Sequence, residues 1–386
     1  MSRKTIWIII SSRKGGHTYP CRALYSYILA RADGYHPQMI NALDLSWPLS
    51  LLDRLGRSGD LKLRSLYRSA YRVLQEDNQA LKSMYRFTET MVYHYGKLRE
   101  KMVRIYGRPD LVVSIQPEVN VVAALFKSWF RVPFHTVIID LGIHGLWINK
   151  LVDNYYVVTE PLKHELIVYG VPENRITVAG MPLRNGFSTV DRTSIKEMRK
   201  RLGLSPNLHT VLLIGGLLGR MLDFDGAIKA ISDVKMPIQI VAVFGENEAA
   251  RNHAQEFKDS YKYPMHLYRT VTNMHELMWA SDLVISKPGS VTMAEVLSLG
   301  KPLVAVNPLA GSAQELRFAQ FLQDNAAGFW IKDTEELSSV LRRIISNRAD
   351  YVRMSRNARK LGQCGLTANQ TILENIKRSL EKKEEA

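Results

Sequence analysis

The sequence predicts an α/β chain of two doubly wound, Rossmann-like domains, and three observations carry that reading. Short apolar runs such as Ile6-Trp7-Ile8-Ile9-Ile10 are continuous rather than alternating, which suits strands buried on both faces of a parallel sheet. Helical patterns separate several of these runs, and strand-helix alternation is the signature of a doubly wound sheet. At 386 residues the chain exceeds one ordinary hydrophobic core and accommodates two.

Taken in order, the first run spans Thr5 to Ser12 and meets a Gly15-Gly16-His17 turn before a helical pattern from Pro20 through Ala30. A long helical stretch between Trp47 and Pro109 interleaves Tyr67, Tyr71, Tyr85, Tyr93, Tyr95 and Tyr106 with Arg and Lys. Strands are expected at Leu111 to Ile115 and Thr136 to Asp140, with a weaker one at Asn154 to Val158. A turn-rich segment, Gly180 to Phe187, followed by a charged helix from about Thr193 to Leu202, places a boundary near residue 190. The expected domains are therefore 1–190 and 191–370, with a charged helical tail over 371–386. Beyond the boundary, strands are expected at Thr210 to Ile214, Ile238 to Val243, Leu283 to Ile285 and Pro302 to Val306, each followed by a glycine or proline turn. From about Tyr351 the pattern is helical, and Glu381 to Glu385 read as a frayed, solvated end.

Composition narrows the function classes. Apolar residues make up 46% and charged residues 23%, a globular balance that argues against long disorder. Against 37 acidic residues stand 52 Lys and Arg, leaving +15, and 12 basic with 6 acidic residues from Asp53 to Arg104 supply +6 of that excess. Such charge concentrates anions, whether nucleic acid, anionic lipid headgroups or phosphorylated substrates. The basic, aromatic and aliphatic mixture before Pro109 suits a helix lying on an anionic membrane surface, the alternative being an ordinary insertion with a solvated basic face. No RNA-binding signature accompanies it, so nucleic acid is not an expected partner. No apolar run reaches 18 residues, and Met1-Ser2-Arg3-Lys4 leads into a strand rather than a signal peptide. The expectation is a cytoplasmic protein attached peripherally to the inner face of the cell membrane. Cys21 and Cys364, the two cysteines, read as core thiols, and no metal is expected.

Polar residues gather in loops after the expected strands. Ser286-Lys287-Pro288-Gly289-Ser290 ends an apolar run in a Pro-Gly turn and opens a helical pattern, so backbone N–H groups collect at a helix N-terminus where phosphate is stabilised. Glu295 lies one turn inside that helix, within reach of a ribose diol, and Gly300-Lys301-Pro302 and then Gln314-Glu315 follow. Ile214-Gly215-Gly216-Leu217-Leu218-Gly219 is a second strand-to-helix glycine turn. Gly15 and Gly16 let the backbone approach a ligand closely, and His17 sets beside them an imidazole, a side chain suited to proton transfer. Asp140, in Ile139-Asp140-Leu141-Gly142-Ile143-His144, places a carboxylate at the end of a buried strand, suited to act as a general base or to orient one.

These motifs together resemble the family 28 glycosyltransferases over nearly the whole chain, most clearly from residue 270 to 330. The resemblance implies the GT-B architecture, two Rossmann-like domains facing across a cleft. It implies a UDP-sugar donor with neither cofactor nor metal, and inverting transfer of a hexose to a membrane lipid, with diacylglycerol favoured over an undecaprenyl-linked acceptor. Gly15 and Gly16 would then serve the acceptor side, and His144 and Trp147 follow Asp140 much as they do in the diacylglycerol branch. His17 or Asp140 would take the acceptor proton. Gly215, Gly216 and Gly219 would approach the diphosphate or the acceptor side of the sugar, Val271 would hold uracil through backbone groups, and Gly289 and Ser290 would lie near phosphate. Glu295 would bind the ribose, and Gln314 and Glu315 the sugar hydroxyls. Two departures stand out: Leu217-Leu218 where relatives carry small or polar residues, and Phe318 where they carry Asn. These keep a catalytically silent scaffold as a rival reading, beside a sugar-nucleotide epimerase that shares the two Rossmann halves.

Overall fold

A computed structural model describes residues 3–11, 18–42, 96–190, 193–219, 222–306 and 313–385. By contact they form two compact units, one running to Arg184 and resuming at Thr367, the other from Asn185 to Leu366.

The first unit holds a six-stranded parallel sheet. Its strands are β1 (Lys4–Ile10), β2 (Tyr35–Asn41), β3 (Leu111–Ser114), β4 (Phe134–Val137), β5 (Asn154–Val157) and β6 (Ile176–Val178), in the order β2-β1-β3-β4-β5-β6. Among the described residues four helices connect them: α1 (Thr18–Arg31), α2 (Gly96–Tyr106), α3 (Asn120–Phe130) and α4 (Glu160–Val168). The continuous apolar run of β1 is fully buried from Ile6 to Ile9, as a strand covered on both faces must be. Trp7 anchors one side of the sheet, edge-on to Phe126 at 5.1 Å and to Phe130 at 5.3 Å across α3.

The second unit repeats the plan. Strands β7 (His209–Ile214), β8 (Ile238–Val243), β9 (Met265–Tyr268), β10 (Leu283–Ser286), β11 (Leu303–Val306) and β12 (Gly328–Ile331) are ordered β12-β11-β10-β7-β8-β9, all parallel. Its helices are α5 (Ile195–Arg201), α6 (Phe224–Asp233), α7 (Glu248–Lys258), α8 (Met274–Ala280), α9 (Ser290–Ser298), α10 (Ala313–Asp324) and α11 (Leu337–Ser346). In each sheet the first strand is flanked on both sides by strands whose connections run in opposite directions: β1 lies between β2 and β3, and β7 between β8 and β10. Ligands of such sheets sit in the crevice outside the carboxyl ends of those strands.

One helix, α12 (Arg348–Glu385), gives its first part to the second unit and its last part to the first. In the second unit a Cβ on Gly362 would lie 2.2 Å from the Leu297 carbonyl carbon, so the helix crosses the end of α9 backbone to backbone. The frayed end expected after Glu381 is instead helix through Glu385. Ile372, Ile376 and Leu380 are buried, and Lys4 pairs with Glu384, because an apolar stripe at helical spacing underlies the charged face. Cys21 is buried as expected, whereas Cys364 is exposed on α12.

His135 fastens that helix to the first sheet. Fully buried on β4, its Nδ1 lies 3.0 Å from the Tyr156 hydroxyl and its Nε2 3.0 Å from Ser379 Oγ of α12. Burial pushes the imidazole down to about 4, so it folds neutral. The unfolded chain takes up this proton below the ordinary histidine range while the folded chain does not, so the contribution to stability is full above pH 6.5 and declines toward pH 4. Between pH 7 and 5 the stability advantage of the natural protein over His135→Gln should shrink by about 2 kcal/mol, read from urea unfolding. Parallel pH curves for the two proteins would contradict it.

Candidate functional site

At the switch point of the second sheet, β10 is buried throughout and ends in Lys287-Pro288-Gly289. The Ser286 hydroxyl and the Gly289 N–H both donate to the Lys287 carbonyl at 2.8 Å, which closes the turn. Gly289 then caps α9 with extended backbone and without a side-chain hydrogen bond to the first turn, the kind of helix start that suits an anion. Ser290 is half-buried in that first turn, and Glu295, one turn further, is 2% exposed. Lys287 Nζ sits 2.7 Å from Glu315 Oε1, on the first turn of α10.

The glycine loop after β7 separates into packing and open positions. A Cβ on Gly215 would meet the Phe224 ring at 2.6 Å, and one on Gly219, at φ +66, would fall 1.7 Å from the Phe244 carbonyl oxygen. The loop is stitched to the end of β8, since Asn247 Nδ2 donates to the Gly219 carbonyl at 2.9 Å and the Glu246 N–H to the Leu217 carbonyl at 2.9 Å. Gly216 differs: its φ of +73 favours glycine, yet nothing stands within 4 Å of a Cβ there. Gly216 is thus the member of the loop with room beside it for a ligand, next to Leu218, which is 55% exposed.

The remaining predicted donor residues lie along the same sheet edge. Val271 is half-buried in the turn between β9 and α8, and Gln314 is the second residue of α10, its side chain outside the described residues. Phe318 is 3% exposed and faces the core from α10, so that departure from relatives belongs to packing. Lys301 lies at the opposite edge, before β11, where its ammonium donates to the Ser281 carbonyl at 2.8 Å and burial pushes it down to about 7. There too Arg199 binds Asp282 at 2.6 Å, and the Ala280 and Leu208 carbonyls. Burial pushes the Asp282 carboxyl up, but hydrogen bonds from His209, Thr210 and Arg199, with the Arg199 charge, hold it below its ordinary range. The amino edge is closed by these polar contacts, and the residues expected to meet the donor lie at the carboxyl edge.

In the first unit, β4 ends at Val137 and Asp140 follows in a turn, 1% exposed. Its Oδ2 accepts from the Trp147 indole N–H at 3.3 Å, and Trp147, itself fully buried, lies against His144 at 6.1 Å between ring centroids. What holds this turn is a residue the motifs did not single out. Asn120, at the start of α3, donates to the Leu146 and Trp147 carbonyls at 3.0 and 3.1 Å, while its Oδ1 accepts from the hydroxyls of Ser114 and Thr136. Ser114 ends β3 and Thr136 lies in β4, so a buried polar set at two adjacent strand ends aims Trp147 at Asp140. A polar residue in an apolar helix start (Asn120-Val121-Val122-Ala123-Ala124) was the one signal for it. At the end of β1, the Ser11 N–H donates to Gln116 Oε1 at 2.5 Å and its hydroxyl to Glu118, which anchors the entry to the first glycine loop. Gly15, Gly16 and His17 lie outside the described residues.

Among the described residues no three His, Cys, Asp or Glu side chains gather as a metal site, and no helix is long and apolar enough to cross a membrane. Residues 17–183 match the family described as monogalactosyldiacylglycerol (MGDG) synthase, and residues 214–370 match the glycosyltransferase family 28 C-terminal domain. A processive diacylglycerol beta-glucosyltransferase of Bacillus pumilus is 25% identical over 97% of this chain and 95% of its own. MurG of Acinetobacter baumannii superposes with a TM-score of 0.61 at 16% identity, over 97% of this chain and 99% of that one. A UDP-GlcNAc 2-epimerase of Neisseria meningitidis, bound to UDP-GlcNAc, reaches the same TM-score at 14% identity, over 97% and 100%, so the fold is shared across activities. Two Rossmann-like sheets, with the family 28 domain on the second and the MGDG synthase domain on the first, identify the chain as a GT-B glycosyltransferase of family 28.

Proposed function

We propose that the chain transfers a hexosyl group from a UDP-sugar to diacylglycerol in an anionic membrane, with inversion at the anomeric carbon. The observation that carries this is the alignment with the diacylglycerol beta-glucosyltransferase over almost the full length of both proteins. On this reading the diphosphate lies at the start of α9 and beside Gly216, Glu295 holds the ribose, Val271 meets the uracil, and Gln314 and Glu315 meet the sugar. The acceptor oxygen attacks the anomeric carbon as the bond to the diphosphate oxygen breaks. The hydroxyl proton passes to a base of the first unit, and UDP leaves with its charge stabilised by the helix N-terminus. The burial of Asp140 against Trp147 favours a positioning role for it and His17 as the base. The basic, Tyr-rich segment between Trp47 and Pro109, described here only from residue 96, supports attachment to the inner face of the membrane.

Release of UDP from a panel of UDP-sugars, with and without diacylglycerol in anionic vesicles, tests the proposal. Release should depend on diacylglycerol and on one donor. Dependence on an undecaprenyl-linked lipid instead would change the acceptor, lipid-independent conversion of UDP-GlcNAc into its C2 epimer would point to an epimerase, and UDP binding without release would mark a silent scaffold. Glu295→Ala should abolish UDP-sugar binding, whereas His17→Ala should keep binding and lose about 10²–10⁴-fold in kcat. If His17→Ala kept the full rate and Asp140→Asn did not, Asp140 would be the base.

A further inference from the structure

The first sheet has a switch point of its own, and the side chain that stands there is an acid. β1 and β3 are neighbours, with Ile9 opposite Ser114, and their connections leave in opposite directions, through α1 toward β2 and through α3 toward β4. Beyond those strand ends the Ser11 N–H donates to Gln116 Oε1 at 2.5 Å and the Ser11 hydroxyl donates to Glu118. Ser11 and Gln116 are buried, so the half-buried Glu118 carboxylate is held at a fixed place relative to the end of β1. Glu118 lies just before α3, and neither α1 nor α3 has an acid in its own first turn. Burial above all, with the Glu118 charge, pushes the Cys21 thiol of α1 up, so that charge reaches the start of this helix as well. One internal carboxylate therefore stands at the positive starts of two helices.

We infer that Glu118 selects an uncharged acceptor, because its carboxylate occupies the ground that a phosphate-bearing headgroup would need. The inference rests on the diacylglycerol reading, with the acceptor meeting the first unit. The two switch points differ in this respect. In the second unit the turn before α9 ends in Gly289, and that helix start has no acid beside it in the first turn, which suits a diphosphate. In the first unit the helix starts are met by a carboxylate held through Ser11, and a second anion there is repelled at close range. The ionised carboxylate only accepts hydrogen bonds, so it favours a ligand that brings O–H donors and no negative charge. Diacylglycerol has that chemistry, with one free hydroxyl and two esters. Such discrimination matters because the net charge of +15 draws the chain to anionic lipid and so gathers phosphate headgroups around it. A fixed charge set against the wrong ligand gives a selectivity that attraction to the membrane alone does not.

Transfer from one UDP-sugar to diacylglycerol or to phosphatidylglycerol, each presented alone in uncharged detergent micelles to the full-length protein, tests this. Phosphatidylglycerol also offers free hydroxyls, but beside a phosphate charge. The natural protein should prefer diacylglycerol. Glu118→Gln removes the charge and keeps an oxygen to accept from the Ser11 hydroxyl. Its kcat/KM for phosphatidylglycerol, relative to that for diacylglycerol, should rise about tenfold over the natural ratio, and the rise should lie in KM. A purely structural Glu118 would move both acceptors together, and a gain on one of them cannot come from misfolding. If Glu118→Gln changes both acceptors by the same factor, or if the natural protein uses phosphatidylglycerol as well as it uses diacylglycerol, the exclusion is overturned while transfer to diacylglycerol stands. If the natural protein transfers nothing to diacylglycerol from any UDP-sugar, the acceptor reading fails and the exclusion with it.

Discussion

The pairing of β7 with β10 is the constraint on which the rest depends. Ile214 stands opposite Ser286 in that register, so the chain leaves two adjacent strand ends at one place, through Gly215-Gly216 on one side and Lys287-Pro288-Gly289 on the other. Both exits must avoid side-chain bulk. Gly215 and Gly219 fit against Phe224 and the Phe244 carbonyl, and Gly289 leaves the start of α9 uncovered. The proposed anion site is thus a product of strand order.

The two edges of the second sheet divide the work. At the amino edge, Arg199, Asp282 and Lys301 are spent on backbone carbonyls and on one another, a closed polar set that ties the starts of β10 and β11 to α5 and α8. At the carboxyl edge, the charges meet where a ligand is expected. At Gly362, α12 crosses the C-terminal end of α9 and holds it by direct backbone approach. The first unit uses the same economy of position, with Asn120 gathering two strand ends and the Trp147 turn around Asp140.

Each of the eight inner strands overlaps an apolar run of the sequence, although β4 runs from Phe134 to Val137 and not from Thr136 to Asp140, and the four strands with no such run, β2, β6, β9 and β12, are the four edges. An edge strand is covered less completely, so it need not be apolar, and β2 even carries Pro37, which an interior strand does not tolerate. The turn at Pro288-Gly289 and the helix that follows it were legible because turn chemistry is local. Asn120, Ser114, Thr136 and the Lys287–Glu315 pair were not, because each depends on which strand ends become neighbours. The end of the chain misled for the complementary reason: Glu381 to Glu385 are charged, while the stripe of Ile372, Ile376 and Leu380 beneath them is what packs.

The central claim is that UDP lies at the carboxyl edge of the second sheet, against α9. Hydrogen exchange with and without UDP tests it most directly. The account predicts slowed exchange over the turn and first helical residues, 287–295, and over the glycine loop, 215–219. Unchanged exchange over 287–295 at saturating UDP would contradict it.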